Sequence, residues 1–199
     1  MTRHPIRLLA GAALLALLAY PLARGEEPAP APDDGAVVDS SYDAPDGTRV
    51  LRQSIVVPAT LEQVWKIWTT AEGWKSFAVP FAVVDFRVGG MIETSYDAQA
   101  KPGLPTNIRN RILAYLPLHM IALQAEQAPP NFPAPELLPE LFAVMQFDTL
   151  EGERVRITVS GIGYREGERY DLVYRMFEQG NAWTLRKLRQ MMLAARAER

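Results

Sequence analysis

The clearest pattern in the chain runs from residue 57 to 90, VPATLEQVWKIWTTAEGWKSFAVPFAVVDFRVGG, and its period changes on the way. Leu61, Val64, Trp65 and Trp68 fall at i, i+3, i+4 and i+7, which places four large apolar groups on one helical face. Thr60 precedes them and Gln63 follows it by three residues, the spacing at which each side chain bonds the other's backbone amide in a capping box. A second short helix begins at Thr70, carries Trp74 and Phe77, and stops before Pro80, whose ring cannot continue a helix. From Phe81 to Val88 the period falls to two, with Ala82, Val84, Phe86 and Val88 alternating with Val83, Asp85 and Arg87. Gly89-Gly90 supplies a tight turn, because glycine takes positive φ without steric cost, and residues 91–97 read as the returning strand.

The same two periods organise the rest. Strands are predicted at residues 48–57, 108–116 and 119–126, the last two joined at Pro117-Leu118, and residues 141–150 pair with 154–161 through Glu151-Gly152-Glu153. In the final strand Val155, Ile157 and Val159 point inward and Arg154, Arg156, Thr158 and Ser160 outward. Residues 127–139 hold Pro129, Pro130, Pro133, Pro135 and Pro139 and are predicted to be a long loop. From residue 168 to about 196, Tyr170, Val173, Tyr174, Phe177, Leu185, Leu188 and Met192 keep a helical stripe. Its centre breaks the rule, since Gly180 and Asn181 share the face of Phe177, where bulky apolar groups are expected. Glycine inside a helix costs about 1 kcal/mol relative to alanine, so something offsets it. Either a gap lies above the sheet with Asn181 as its polar handle, or the helix kinks or approaches the sheet closely there. Leu172, Met176 and Trp183 lie on a flank, which either packs against an edge strand or the proline-rich loop or forms an exposed strip for a partner.

In order and spacing, the chain resembles the START-like helix-grip superfamily (SRPBCC), particularly the branch named after activators of the Hsp-type chaperone ATPase. The residues that carry the resemblance are Ile55-Val56-Val57-Pro58-Ala59, Val64-Trp65, the stretch from Thr69 to Trp74, and Asp85-Phe86-Arg87-Val88-Gly89-Gly90. The resemblance spans about residues 48–192 and implies an α+β helix-grip fold. That fold is a curved antiparallel sheet of six or seven strands wrapped around a long C-terminal helix, with two short helices after the first strand. It says little about function, since the superfamily mixes binders, transporters and a minority of enzymes.

The first 25 residues stand apart from this domain. Arg3, His4 and Arg7 precede an uncharged apolar run from Leu8 to Tyr20, followed by Ala23 and Gly25 at signal-peptidase spacing. That run is shorter than the roughly 20 residues a bilayer span needs, so a cleaved secretory leader is expected, with an uncleaved anchor as the alternative. Residues 26–47 begin EEPAPAPDDG and are expected to form an acidic, proline-rich tether, leaving 48–196 as the folded domain. Export places the protein in the periplasm or outside the cell, away from cytosolic chaperones, so chaperone activation is not carried over from the resemblance. The chain has no cysteine, which excludes disulfides and lipoprotein attachment. Losing the leader's three arginines takes the formal charge from −2 to −5, and no dense basic cluster remains for nucleic acid.

Catalytic candidates are scarce. His119 is the one histidine outside the leader and is expected at a solvent edge, and no Walker loop, G-x-S-x-G or dinucleotide fingerprint occurs. No metal site or cofactor is expected. By alternation the inward set comprises Phe86, Ile92, Thr94, Tyr96, Ile108, Asn110, Ile112, Ile121 and Leu123, with Tyr96 and Asn110 as polar interruptions in an apolar wall. Arg109 and Arg111 are expected on the outer face. An apolar wall with a few polar groups is the usual form of a small-molecule pocket. The expected function is binding of a hydrophobic small molecule or lipid between sheet and C-terminal helix. Phe86, Tyr96, Asn110, Phe177 and Asn181 are the expected wall, and the proline-rich loop is a candidate lid. Two other readings stand beside it: an interaction module with a filled core, meeting a protein through Leu172, Met176 and Trp183, and, less favoured, a cyclase or hydrolase.

Overall fold

A computed structural model describes residues 35–198. The expected leader and the acidic start of the tether lie outside the described residues. The elements are β1 (Val38–Asp39), β2 (Tyr42–Asp43), β3 (Arg49–Val57), α1 (Leu61–Thr69), α2 (Ala71–Phe77), β4 (Phe81–Val84), β5 (Met91–Ser95), β6 (Ile108–Leu116) and β7 (Met120–Gln127). A 3-10 helix (Pro135–Glu140), β8 (Phe142–Leu150), β9 (Arg154–Tyr164) and the 30-residue α3 (Glu168–Ala197) complete the fold. All pairings are antiparallel, in the order β1-β3-β9-β8-β7-β6-β5-β4, with β2 also on β3 and the sheet not closed.

The seven longer strands are those the alternation predicts. The two extra ones arise within the stretch expected to be tether: Val38 pairs with Ser54 and Tyr42 with Val50, each over two residues. The α+β helix-grip architecture read from the sequence is thus present, with a larger sheet.

The turn between β3 and the helices forms as its chemistry dictates. Thr60 accepts the Gln63 amide at 3.3 Å, and the Gln63 carboxamide oxygen accepts the Thr60 amide at 2.9 Å. Thr70 caps α2 through the Gly73 amide at 3.0 Å. These caps aim four aromatic rings at the sheet. Trp68 meets Trp74 edge-on at 5.0 Å and Phe77 at 5.6 Å, while Trp65 meets Phe147 at 6.1 Å.

Two apolar clusters result. The larger joins α1, the inner sheet face and the second half of α3, through Ile55, Val57, Val64, Ile92, Ile112, Phe147, Ile157, Leu185 and Leu188 among others. The smaller gathers Leu51, Ala134, Leu137, Leu141, Tyr164 and Val173 around the first half of α3.

Three expectations are corrected. The strand expected to reach Val88 stops at Val84, because the Asp85 amide bonds the Met91 carbonyl at 2.9 Å and the Gly89 amide turns to the Ile112 carbonyl at 2.8 Å. The outward residues Thr158 and Ser160 are buried, since short side chains on a strand flanked by β3 and β8 sink between their longer neighbours. The proline-rich stretch is a loop only as far as Ala134. Pro135 then starts the 3-10 helix at a position where its fixed φ suits the first turn. Glu136 pairs with Arg169 at 2.6 Å and Glu140 accepts the Tyr170 hydroxyl at 2.7 Å, which fasten this segment to α3.

Near the end of β9 the backbone depends on Gly163, whose φ is +100° and where a Cβ would lie 2.1 Å from the Glu140 carbonyl oxygen. Gly163→Ala is therefore expected to destabilise the fold by about 2 kcal/mol or more. Thr60→Ala removes one cap and is expected to cost about 1 kcal/mol. Urea unfolding of both variants checks the ranking.

Candidate functional site

Between the two apolar clusters, the helix and the sheet do not meet. Val173 and Leu185 are fully buried, but Phe177 and Asn181, between them on the same stripe, are only half-buried. Opposite them the inner sheet face carries small side chains. Asn110 pairs with Ala125 across β6 and β7, and Ala143 pairs with Gly161 across β8 and β9. With little standing up from the sheet and Gly180-Asn181 above, a cavity opens.

The cavity has three compartments that share Asn110, Phe177 and Asn181 in their walls. The outer one, of about 430 Å³, lies between α3 and the proline-rich loop and is bounded by Tyr96, Ala125, Pro129, Phe132, Met176 and Gly180. An inner one, of about 210 Å³, reaches down to Trp68, Trp74, Leu123, Met145 and Leu185. A third, of about 80 Å³, extends toward Leu141 and Tyr164. The outer volume alone is within the range of small-molecule sites, about 300–1,000 Å³.

Of the five expected wall residues, the structure brings four together. Asn110 and Phe177 lie under and over the cavity, Asn181 is beside Phe177 on α3, and Tyr96 stands at the mouth with 67% of its surface exposed, just past the end of β5. Phe86 is elsewhere. With β4 ended at Val84, its ring packs on Trp65 at 5.5 Å and Tyr115 at 4.8 Å, in the aromatic end of the main core. It lines none of the three compartments.

Gly180 resolves one of the open alternatives. A Cβ there would find nothing within 4 Å, so no close approach to the sheet requires the glycine. It stands three residues after Phe177 and four before Thr184, both cavity residues, and itself borders the outer compartment. The proline-rich loop contributes through Phe132, whose ring lies 6.2 Å from that of Phe177. Its second half is held in the smaller core, so the loop faces the cavity mainly through the short run 128–133, with Leu138 of the 3-10 helix beside it.

Trp68, Trp74, Ala125, Ala143 and Thr184 also line the cavity, a role that periodicity assigns to none of them, since it places Trp68 only on the apolar face of α1. The small pair Ala125 and Ala143 becomes informative only once the strand register sets them beside Asn110 and Gly161 under one stretch of helix. The flank residues Leu172, Met176 and Trp183 are exposed rather than packed, with the Lys187 ammonium 5.8 Å from the Trp183 ring.

The electrostatics of the cavity are plain. No Asp, Glu, Lys, Arg or His lines any compartment. Burial pushes the Tyr164 phenol far above its ordinary value, which keeps it a neutral hydroxyl. The charged groups nearby are committed on other faces. Arg49 pairs with Asp171 at 2.7 Å, Arg111 pairs with Glu126, and buried Glu93 accepts the Asn107 carboxamide and the Gly103 amide, each at 2.6 Å. His119 is exposed at the β6–β7 turn. Among the described residues no cluster of three or more His, Asp or Glu is placed to hold a metal ion, and no helix is long and apolar enough to cross a membrane.

Solved structures share this architecture. The solution structure of the Aha1 dimer from Colwellia psychrerythraea is 17% identical, with a TM-score of 0.57, over 72% of this chain and 95% of that one. A crystal structure of a Rhodobacter sphaeroides protein is 16% identical, with a TM-score of 0.60, over 80% of this chain and 99% of that one. CalU16 from Micromonospora echinospora is 14% identical in its crystal structure, with a TM-score of 0.53, over 78% of this chain and 82% of that one. At these identities the likeness is one of fold. No curated protein matches the chain. Residues 58–192 match the family described as activator of Hsp90 ATPase homolog 1-like protein. The match begins at the strand end before the capping box and ends at Met192, on the buried stripe of the grip helix, so it takes in most of the walls of the cavity. The chain belongs to this family of START-like helix-grip domains.

Proposed function

We propose that the chain is an exported START-like domain that holds a hydrophobic small molecule or lipid between its sheet and its C-terminal helix. The observation that carries this reading is the cavity of about 430 Å³ bordered by Gly180. Gly180 borders this space at a cost to the helix, and a Cβ there would meet nothing, so no packing need accounts for it. The composition of the walls supports an apolar occupant, since apolar residues, among them Ile108, Leu123, Phe132, Met176 and Phe177, make up most of the lining. The expected leader supports export, and the family name's chaperone activity is not part of the proposal.

The decisive experiment pairs two substitutions at one position. Gly180→Ala is expected to stabilise the protein by about 1 kcal/mol, raising its thermal midpoint by about 2–4 °C, while leaving the cavity open. Gly180→Leu keeps the helix but fills the outer compartment. Native mass spectrometry of the protein purified without detergent is expected to show a stoichiometric non-covalent mass on the wild type and Gly180→Ala, and none on Gly180→Leu. A bare polypeptide in all three, even after incubation with a lipid extract, overturns the reading.

A second reading, a protein-interaction module, is favoured by the exposure of Leu172, Met176 and Trp183 along one flank of α3. Export has its own test. Periplasmic fractionation with N-terminal sequencing is expected to recover a chain starting at Glu26, and recovery of the intact chain from the cytosol overturns it.

A further inference from the structure

We propose that the outward face of α3 seats the domain on an anionic phospholipid surface. Leu172, Met176 and Trp183 enter the headgroup region, Arg175, Arg186 and Lys187 meet the phosphates, and the mouth of the cavity turns toward the lipid. This goes beyond the cavity reading, since it assigns an occupant to the exposed flank and is tested without any cargo.

Helix geometry lays out the surface. Leu172, Met176 and Trp183 stand at i, i+4 and i+11, so they fall within about 40° of one another around the axis and make one exposed apolar row. Arg175 and Arg186, also eleven residues apart, form a second row about 60° to one side of Leu172 and Trp183, and Lys187 lies about 40° to the other side. All three cations are exposed. An apolar row bordered by cations on both sides is the pattern of a helix that lies in a membrane interface. Trp183 suits that place, because an aromatic body with a polar N–H settles at the headgroup level. It is the only exposed one of the four tryptophans, and the Lys187 ammonium lies 5.8 Å from its ring.

The charges select the partner. Of the acids on α3, Glu168 is the first residue, Asp171 is spent on Arg49 at 2.7 Å, and Glu178 is half-buried and about 140° around the helix from Trp183. Residues 179–197 hold Arg186, Lys187, Arg189 and Arg196 and no acid. Arg189 donates to the Val56 carbonyl at 3.2 Å and Arg169 pairs with Glu136, so both serve the fold. Arg175, Arg186 and Lys187 have no acidic partner among the described residues. In a chain whose net charge is −2, they are a local excess gathered around the exposed apolar row. An anionic bilayer meets both needs at once, with phosphates for the cations and an apolar layer just beneath for the row.

The row also runs into the cavity mouth. Met176 belongs to both, Gly180 follows it one turn on, and exposed Tyr96 borders the same outer compartment. No acid lines that compartment, so nothing at the mouth repels an anionic surface. A domain seated by this face opens toward acyl chains, and an apolar cargo enters without crossing water.

Co-sedimentation of the full chain with vesicles tests the surface. The chain is expected to pellet with an equal mixture of phosphatidylglycerol and phosphatidylcholine at low salt, and far less at high salt or with phosphatidylcholine alone. Leu172→Ser/Trp183→Ser and Arg175→Gln/Arg186→Gln/Lys187→Gln alter only exposed positions, and each is expected to weaken binding by about tenfold or more. Lipids brominated along the acyl chain are expected to quench the wild-type tryptophan fluorescence, and Trp183→Phe to remove that quenching. The apolar run from Leu8 to Tyr20 is common to all these chains, so the differences report on α3. No pelleting by the wild type, or pelleting undiminished in both multiple variants, overturns the proposal. So does quenching that survives in Trp183→Phe. A dimer seen by light scattering and dissociated by Leu172→Ser/Trp183→Ser gives the row to a second copy instead, and a photo-crosslink from position 183 to an envelope protein gives it to a protein partner. None of these readouts needs a cargo, so a protein that co-purifies with nothing leaves the docking result standing.

Discussion

A 30-residue helix laid across a curved sheet cannot touch it everywhere, and the rest of this structure follows from that mismatch. The helix is about 45 Å long, and the sheet beneath it is bent by register breaks in β6 and between β3 and β9. Contact is made at two places. Leu185, Leu188 and Met192 sit on the main core, and Val173 sits on the smaller one. The stretch between is bridged rather than packed. Larger side chains at Gly180, Ala125 or Ala143 would fill it, each added methylene contributing about 0.8 kcal/mol of burial. That the chain forgoes this burial at three aligned positions, on three separate elements, is what gives the space its meaning.

The cavity's surroundings are stiff. Arg49 links the start of β3 to Asp171 and lies 5.1 Å over the Tyr174 ring, so the first half of α3 is fixed to the sheet edge. On the other side the 3-10 helix is held by Leu137 in the smaller core and by the bond from Tyr170 to Glu140. From the proline-rich segment, residues 128–133 and Leu138 border the outer compartment. Phe132 thus sits beside Phe177 on a mostly anchored segment.

Most of the fold was legible because burial imposes period on sequence. The capping box, the α1 stripe and the alternation in β3 and β6–β9 each stand in a few adjacent residues. What was not legible depended on long-range pairing. Phe86 continues the alternation of β4 perfectly, yet the strand ends two residues earlier, since bonds to Met91 and to Ile112 on β6 take the backbone elsewhere. Tyr42 and Val38 join β3 through backbone bonds that no side-chain pattern announces. The site was half visible. Phe177, Asn181 and Gly180 betrayed it as a flaw in an otherwise regular stripe. Ala125 and Ala143 could not, because a small residue is conspicuous only beside its cross-strand neighbours. Trp68 stands on the apolar stripe of α1 and is buried in the main core; that its indole N–H is unpaired depends on what packs around it there.

An open sheet has two edges, and each offers unpaired backbone groups to any passing strand. One edge here is β4, only four residues long and ended by a loop that bends back onto β6. The other would be the nine-residue β3, alternately apolar and long enough to recruit a neighbouring chain. It is covered along most of its length by β1 and β2, four residues in all, with Ser40 and Ser41 hydrogen-bonding Arg52 between them. The segment between tether and domain therefore acts as a guard against self-assembly. Trimming the chain to a start at β3 would bare a strand edge that β1 and β2 cover in the intact domain.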